Sequence, residues 1–479
     1  MYVNMTKLLS IFFCIFFTTI YAQYRSDYCL SRDDNPYLFF AKKTPYEFVH
    51  ERENNRQHIV PECRPVQYWS LIRHGERLPG ISRLNELRDR IPRIQKDIIR
   101  NYRELRSYPQ HGRICEDDLI RIERWHWNSS YDTTHLVTQE ALNEMKFLAK
   151  RLKTKFDKVF FSDNLNDYVF KHTEETANSE VYKAFLEGLF DDEAYKIQNV
   201  EILSNNTLKG NPHSCKAFEN TLRATDEESS EPKKFLRRSD IQRMIKDIGD
   251  KLGYRYSLDF NQINLMYEMC RIEKSINIRG VSTWCTVFTK EQLKLFEYYY
   301  DLLYYYQSGY GNRFSRNIGC HYVRDMLDYF REIANRRDSM APKAIISFAK
   351  SIQLQTLLVA LDFFKDPYML SADDYNAYRK NAWRISEISP FAGNLAAVMY
   401  ECTSSRYKVM FFLNEKPIEH SDCQVGLCDW EILQRRLNRI IENCNYDFCA
   451  TGVSGSNSSY KFSSLFVLSF CLIFAKKFM

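Results

Sequence analysis

The chain has 479 residues, of which 44% are hydrophobic and 15% are aromatic. This length allows one large domain with an insertion or two domains, and this apolar content excludes an intrinsically disordered protein. The formal charge of +6 is too small to indicate a nucleic-acid-binding protein by bulk charge. Any anionic ligand must therefore be bound by a local cluster of basic residues.

The N-terminus carries the pattern of a secretory signal peptide. Lys7 precedes an apolar run over residues 8–20, and a small residue, Ala22, then stands before the polar Gln23. We therefore predict cleavage after Ala22, which makes residues 1–22 the signal peptide. The alternative is a membrane-spanning anchor, which requires a longer apolar run.

The C-terminus has the composition of a signal for a glycosylphosphatidylinositol (GPI) anchor. Residues 451–459 are small and polar, and residues 465–475 are mostly apolar but too few to span a bilayer comfortably. We predict attachment within residues 454–457, and a GPI-type tail over residues 451–479. A short membrane anchor and a loose tail are the alternatives, because the chain ends with Lys476-Lys477-Phe478-Met479, where an apolar end is usual.

The two terminal signals leave residues 23–450 as the mature domain. Both removed segments contain basic residues and no acidic ones, so the mature chain has 63 basic and 61 acidic residues and a net charge of +2. We expect this domain in the secretory pathway, at the cell surface or outside the cell. Its expected glycosylation acceptors are Asn128, Asn205 and Asn457, each of which begins an Asn-x-Ser/Thr motif.

Twelve of the fourteen cysteines lie in the mature domain, and an even number in a secreted chain indicates disulfides. Cys423 and Cys428 are five residues apart, and so are Cys444 and Cys449. This spacing is not the two-residue spacer of a zinc ribbon. We therefore expect local bridges near the C-terminus.

The first predicted strand leads directly into a basic motif. Residues 66–72 are an apolar run typical of a buried strand, and residues 73–79 follow with the sequence RHGERLP. Open α/β sheets bind ligands at the carboxyl ends of their strands. Arg73 and Arg77 can hold the oxygens of one phosphate, and His74 between them is a candidate nucleophile. A basic surface loop is the alternative interpretation.

Helices and strands are predicted after this motif. Residues 84–105 and 138–156 have apolar positions at helical spacing. Two short strand-like runs follow, residues 159–161 and 168–170, and the second leads into Lys171. Residues from about 191 to 280 have the character of an insertion. It contains a polar loop and two helical patterns, over residues 239–252 and 262–274.

The RHGxRxP pattern resembles the signature of the histidine acid phosphatases. Later segments are similar to the multiple inositol polyphosphate phosphatases within that family. These segments are residues 284–288, 297–302, 309–311, 389–395 and 413–417. The similarity extends over about residues 60–430, which is most of the mature chain.

The resemblance implies an α/β fold with a histidine phosphatase (phosphoglycerate mutase-like) sandwich core and an inserted, mainly helical cap at about residues 191–280. It implies a phosphomonoesterase for inositol polyphosphates, with His74 as nucleophile and Arg73, Arg77 and Lys171 as phosphate ligands. Lys171 stands where the family commonly carries Arg, and a surface Lys is the alternative. The implied partner is a small phosphate ester, with no nucleic acid, metal or cofactor, and a GPI anchor would supply the membrane contact. A mutase of the wider superfamily is disfavoured by the secretory signals and the cap.

The sequence departs from the family pattern after a second apolar run, residues 343–349. The resembling family carries a phosphate-contacting His there, with an acid nearby in one common form, whereas this chain has Lys350-Ser351-Ile352. A leaving alkoxide needs a proton donor. Three hypotheses follow: Lys350 donates the proton, Glu76 reaches in from the motif, or the chain is a slow or inactive homologue that binds phosphorylated ligands.

Overall fold

The computed structural model describes residues 28–33, 36–50, 58–109, 112–132, 137–162, 164–197, 200–207, 209–335, 341–403, 406–421, 423 and 426–450. The predicted signal peptide, the GPI-type tail and Asn457 lie outside these residues. The strands are β1 (Cys63–Arg73), β2 (Tyr168–Thr173), β3 (Val200–Leu203), β4 (Ala344–Ala349), β5 (Asn394–Cys402), β6 (Tyr407–Leu413), β7 (Lys416–Ile418) and β8 (Leu427–Asp429).

The α-helices are α1 (Ile81–Ile99), α2 (Glu116–Arg124), α3 (Gln139–Lys155), α4 (Asp157–Phe160), α5 (Thr176–Phe190), α6 (Lys216–Ala224), α7 (Glu231–Leu236), α8 (Ser239–Lys251), α9 (Phe260–Ile276), α10 (Lys290–Ser308), α11 (Ser315–Asn335), α12 (Ser351–Ala360), α13 (Ile385–Ile388), α14 (Trp430–Glu442) and α15 (Asp447–Ala450). A π-helical turn, Arg100–Glu104, extends α1. Short 3-10 turns are Leu30–Arg32, Ala41–Lys43, Tyr46–Phe48, Ser129–Asp132, Leu165–Asp167, Asp191–Lys196, Pro212–Ser214, Trp284–Val287 and Ala372–Lys380.

The strands form one mixed sheet in the order β3-β2-β4-β1-β5-β6-β7, with β8 also paired to β6. Strand β1 runs parallel to β4 and antiparallel to β5, and β2 runs parallel to both β3 and β4. The carboxyl ends of β1, β2 and β4 therefore meet at one edge of the sheet. Because Arg73 pairs with Ala349, the predicted motif and Lys350 both begin at that edge.

Both faces of the sheet are covered by helices. Tyr68 and Ile72 of β1 pack into a core with α3 and α5, while the alternating residues Trp69 and Leu71 pack into a larger core that includes α11 and α12. All four side chains are fully buried, and a strand buried on both faces is typical of α/β proteins. The predicted sandwich core is confirmed.

The segment between β3 and β4 is mainly helical, and it contains α6 to α11. The helices predicted over residues 239–252 and 262–274 are confirmed as α8 and α9. The mainly helical cap of the predicted fold class is therefore confirmed. Its boundaries near residues 191 and 280 stay a prediction, because the helical segment continues through α10 and α11.

The strand predicted over residues 159–161 is wrong. These residues follow α3 directly, and Val159 and Phe160 belong to the short helix α4. Both side chains are buried in the same core as α3 and α5. A three-residue apolar run fits a strand and a buried helical turn equally well, so periodicity does not separate them.

Six disulfides connect twelve cysteines in the described part of the chain. They are Cys29–Cys115, Cys63–Cys402, Cys215–Cys449, Cys270–Cys285, Cys320–Cys444 and Cys423–Cys428. The expected local bridge is present between Cys423 and Cys428. The prediction is wrong for Cys444 and Cys449, which instead fix the last two helices to α11 and to the segment before α6. In the described parts of the chain, no helix combines the length and the apolarity that a membrane span requires.

Candidate active site

A cavity of about 610 Å³ opens at the carboxyl edge of the parallel strands. Each of the three strands supplies a side chain to it. His74 and Arg77 follow β1, Lys350 follows β4, and Glu175 lies two residues beyond the end of β2. Helices α1, α9 and α10 contribute further lining residues. The cavity therefore lies where ligands bind in open α/β sheets.

The imidazole of His74 is held in one tautomer. Its Nδ1–H donates to the carbonyl oxygen of Gly75 over 2.9 Å, which leaves Nε2 as an acceptor for Arg77 Nε at 3.2 Å. Burial and the positive charges of Arg77 and Arg73 hold the pKa of His74 well below its ordinary value. The imidazole is therefore neutral, with its lone pair on Nε2, which is the form that a nucleophile requires.

Arg73 is fixed beneath the cavity by backbone carbonyls. Its Nη1 donates to the oxygen of Ser389 over 3.0 Å and to the oxygen of Lys42, and its guanidinium lies 4.8 Å from the Phe391 ring centroid. Burial, reinforced by the charge of Arg77, lowers the pKa of Arg73 to about 9. Within the described residues its buried Nε has no hydrogen-bond partner. An anion bound beside it would supply the missing negative charge.

Positive charge exceeds negative charge around the cavity. Seven Lys or Arg residues and two Glu residues line it, namely Lys42, Lys43, Arg73, Arg77, Arg83, Arg271, Lys350, Glu175 and Glu268. Glu268 accepts hydrogen bonds from Lys43 and Arg271. Burial lowers the pKa of both Lys42 and Lys43 to about 7. This concentration of buried and half-buried basic side chains is typical of a site for a polyanion.

Lys350 reaches the cavity from the first position after β4. Its Nζ lies 2.8 Å from Glu175 Oε1 and donates to Asn211 Oδ1 over 3.5 Å. The carboxamide of Gln353 accepts the Lys350 backbone N–H over 2.8 Å, which caps the start of α12. The structure therefore brings Arg73, His74, Arg77 and Lys350 together, as the sequence analysis expected.

The sequence analysis missed Glu175. Its backbone is extended and it immediately precedes α5, so its side chain enters the cavity from the end of β2. The rule that selected the residues after β1 and β4 applies equally to those after β2. Applied to the observed end of β2 at Thr173, it points to Glu174 and Glu175, whereas the predicted end at residue 170 pointed to Lys171.

Lys171 is not brought to this cavity. It lies on a face of β2, two residues before the strand ends, and its Nζ is 2.7 Å from Asp325 Oδ1 of α11 and 3.3 Å from Glu201 Oε2. Together with these partners it lines a separate cavity of about 20 Å³. A side chain inside a strand points toward the covering helices, whereas a residue beyond the strand end can face the ligand edge.

Glu76 is also kept away from His74. Although the two residues are separated only by Gly75, Glu76 lines a different cavity of about 300 Å³ together with Glu47, Glu140 and Glu144. Burial raises the pKa of Glu76 to about 7. The hypothesis that Glu76 reaches the leaving group is therefore not supported by its position.

One group of side chains in the described part of the chain has metal-binding spacing, Cys29, Cys115 and Asp118. The two cysteines are joined as a disulfide, and Asp118 accepts the backbone N–H of Leu30 over 2.8 Å. The group therefore fixes the start of the described chain to α2. It supplies no free thiolate to a metal ion.

The two glycosylation acceptors within the described residues differ in exposure. Asn128 is exposed, whereas Asn205 is half-buried and its backbone N–H donates to Glu174 Oε2 over 2.7 Å. Glycosylation at either position stays a prediction. The exposed side chain of Asn128 is the more accessible of the two.

Sequence comparisons place the chain among phosphatases. Residues 67–414 match the sequence profile of the histidine phosphatase superfamily (branch 2). Multiple inositol polyphosphate phosphatase 1 of Drosophila melanogaster is 35% identical over 444 residues, which cover 91% of this chain and 93% of that protein. The Homo sapiens protein of the same name is 24% identical over 86% of this chain and 85% of its own length.

Solved structures share the fold. A phytase from D. castellii has a TM-score of 0.68 at 16% identity and covers 86% of this chain and 87% of its own. A Bifidobacterium longum multiple inositol polyphosphate phosphatase, solved in complex with inositol hexasulfate, has a TM-score of 0.62 at 14% identity and covers 84% and 97%.

Proposed function

Because the chain belongs to the histidine phosphatase superfamily (branch 2), we propose that it hydrolyses inositol polyphosphates through a phosphohistidine formed at His74. The names of its Drosophila and human relatives support this substrate class. The observation that carries the proposal is a single cavity in which neutral His74 lies beside Arg73, Arg77 and five further Lys or Arg side chains.

The arrangement around His74 supports in-line phosphoryl transfer. A bound phosphate takes over the Arg77 N–H that the free protein donates to Nε2, and this frees the lone pair for attack on phosphorus. The bond from Nε2 to phosphorus forms while the ester P–O bond breaks, and Arg73 and Arg77 stabilise the equatorial oxygens. Water then attacks the phosphohistidine and releases inorganic phosphate.

Cations elsewhere in the cavity favour a substrate with several phosphates. Arg83 from α1 and Arg271 from α9 line the cavity, together with Lys43. Lys43 and Arg271 share the single carboxylate of Glu268, so positive charge remains there that a monophosphate held at Arg73 and Arg77 would not reach. The cavity volume of about 610 Å³ lies within the range of sites for small molecules, about 300–1,000 Å³.

We also infer that the protein is a glycoprotein of the secretory pathway, either secreted or held at the cell surface by a GPI anchor. Its six disulfides support an oxidising compartment. The predicted signal peptide and GPI-type tail favour the same location.

A second candidate function is binding of phosphorylated ligands without turnover. It is favoured by the Lys350-Ser351-Ile352 segment, in which the family His and its nearby acid are replaced. The Lys350 ammonium keeps a positive charge at the cavity but is already paired with Glu175. General acid catalysis contributes about 10²–10⁴-fold, so its loss would leave a slow or inactive enzyme.

The deciding experiment compares the full-length protein, produced in a eukaryotic secretory host, with His74→Ala and Lys350→His. Phosphate release is measured from inositol hexakisphosphate and from 4-nitrophenyl phosphate across pH. We expect the parent to release phosphate and His74→Ala to release none, because His74 is the nucleophile. Thermal unfolding of each variant shows whether the fold is retained.

Two other results would change the conclusion. An inert parent that gains activity as Lys350→His would support the second candidate, since the pocket of the parent would then lack only the family His. Undiminished phosphate release by His74→Ala would contradict the phosphohistidine route.

A further inference from the structure

We propose that Glu175, at the end of β2, donates the proton to the leaving oxygen in place of the segment after β4. The proposal rests on the proposed function. It supplies the group that protonates the leaving oxygen, which the proposed function leaves unassigned. Among the described residues that line the cavity, the carboxylates are Glu175 and Glu268. The question is therefore which of the two can carry a proton to the ester oxygen.

Glu268 is unsuited to that role. Its carboxylate binds Lys43 and Arg271, and it is fully buried in the cap wall. Burial alone would raise its pKa, but the charges of Arg271 and Lys43 outweigh burial and hold the pKa of Glu268 well below its usual range. It remains ionised and therefore has no proton to donate.

Glu175 lies in the same cavity as His74. It lies at the same strand edge as His74, and its negative charge acts on Arg77, whose Nε contacts His74 Nε2 at 3.2 Å. Its Oε1 is 2.8 Å from Lys350 Nζ, and its side chain is 30% exposed, so water can return a proton to it. Lys350 is then a positioning residue, which holds the carboxyl group at the cavity instead of donating the proton.

The proposed steps conserve every proton. In the first step the lone pair of His74 Nε2 forms the N–P bond, and the ester P–O bond breaks with its electron pair remaining on oxygen. The phosphates of the bound substrate offset the positive charges of Lys350 and Arg77 and so favour the uncharged carboxyl form of Glu175. Its proton passes to that oxygen, which leaves as an alcohol. In the second step the Glu175 carboxylate takes a proton from the water that attacks phosphorus, so the N–P bond breaks and both side chains return to their initial states.

The test uses two esters that differ in their need for an acid. Glycerol 2-phosphate releases an alkoxide, which must be protonated, whereas 4-nitrophenyl phosphate releases a stable phenolate. For Glu175→Gln we expect kcat/KM for glycerol 2-phosphate to fall by about 10²–10⁴-fold. The kcat/KM for 4-nitrophenyl phosphate should change by less than about tenfold, because this parameter reports the step that forms the phosphohistidine.

Three further variants of the full-length protein serve as controls. Glu174→Gln is the matched control, because Glu174 is the exposed neighbouring carboxylate and is bonded to the backbone of Asn205. It should leave both esters unaffected. Glu175→Asp should restore part of the glycerol 2-phosphate activity. Lys42→Met tests a different candidate donor, one of the two lysines at the cavity whose pKa burial lowers to about 7.

The outcomes separate this proposal from the proposed function. Equal losses with both esters in Glu175→Gln, or no loss with either, would overturn the proposal while the phosphatase function stands. Selective loss of glycerol 2-phosphate activity in Lys42→Met but not in Glu175→Gln would also overturn it. A parent that hydrolyses neither ester would contradict the proposed function itself.

Discussion

Positive charge at the cavity lies on side chains that are withdrawn from water. Burial, together with the charges of Arg73 and Arg77, lowers the pKa of Lys42 to about 7. Burial lowers the pKa of Lys43 to about 7 as well, although Glu268 acts in the opposite direction. Both lysines are therefore only partly protonated at neutral pH. A bound polyanion supplies negative charge, which raises both pKa values and draws protons onto the lysines.

We expect the affinity for inositol hexasulfate to fall as pH rises from about 6 to about 9. Sulfate esters stay ionised over this range, so the protein alone exchanges protons. Below pH 7 the lysines already carry their protons, so binding of inositol hexasulfate takes up few additional protons. Above pH 7 binding must protonate them, so the logarithm of the binding constant falls with a slope that approaches −1 for each lysine. Isothermal titration calorimetry in buffers of different ionisation enthalpy measures both affinity and proton uptake.

Lys42→Met provides the control for this pH dependence. Methionine retains an apolar stem but does not titrate, so proton uptake above pH 7 should fall to about half of the parent value. An affinity that is constant between pH 7 and 9 in the parent would contradict the assignment of proton uptake to the two lysines. A slope that Lys42→Met leaves unchanged would show that other groups take up the protons.

The sequence predicted which residues reach the cavity more accurately for residues that follow strand ends than for residues inside strands. His74 and Arg77 come just after a strongly apolar strand, and Lys350 follows another. Parallel pairing of these two strands is enough to bring the three residues to one edge of the sheet. Lys171 was placed by comparison with a family Arg, yet its position within β2 directs it to Asp325. Glu175 was missed because the sequence alone does not show which residue ends β2.

At the scale of elements, the position of Lys350 depends on how α12 packs against α11. Gly319 of α11 lies at their closest approach, where an added Cβ would stand 2.1 Å from the carbonyl oxygen of Thr356 in α12. A backbone atom cannot rotate away as a side chain would. Gly319→Ala should therefore separate the two helices and lower the free energy of unfolding by about 1–3 kcal/mol. Denaturant unfolding measures the loss.

Gly249→Ala is the matched control for this substitution. Gly249 is also a helical glycine, in α8, but an added Cβ would meet Leu258 Cγ at an ordinary 3.8 Å. Alanine should stabilise that helix by about 0.5–1 kcal/mol, because it loses less backbone entropy on folding. Similar destabilisation by both substitutions would refute the close helix contact as the cause.

Long periodic segments were predicted more accurately than short ones. Helix α3 spans Gln139–Lys155, within the predicted residues 138–156, and its N-cap is Thr138, whose Oγ1 accepts the Ala141 N–H over 3.2 Å. The ends of strand β1 lie within three residues of the predicted run, and those of β4 lie within one. The strand prediction over residues 159–161 was wrong because three apolar residues are too few to show a period. The packing of these residues beside α3 and α5 decides their structure.

At the scale of the whole molecule, the disulfides join parts of the chain that are distant in sequence. Cys63 and Cys402 connect the start of β1 to the end of β5 across 339 residues, and Cys215 and Cys449 are 234 residues apart. The sequence indicated disulfides from an even cysteine count. It did not indicate which cysteines pair. Cysteines so far apart in sequence are brought together by the order of the strands, as happens on the neighbouring strands β1 and β5.

Removing the longest bridge should cost far more stability than removing the shortest. If a disulfide acts by restricting the unfolded chain, the loop of Cys63–Cys402 contributes about 6 kcal/mol and that of Cys423–Cys428, five residues apart, about 2 kcal/mol. We therefore expect Cys63→Ser/Cys402→Ser to lower the guanidinium unfolding midpoint well below that of Cys423→Ser/Cys428→Ser. The comparison is made on protein secreted from the same host, with free thiols counted in each sample. Equal shifts for the two pairs would contradict the loop-closure account and would indicate that local packing around each bridge sets its contribution.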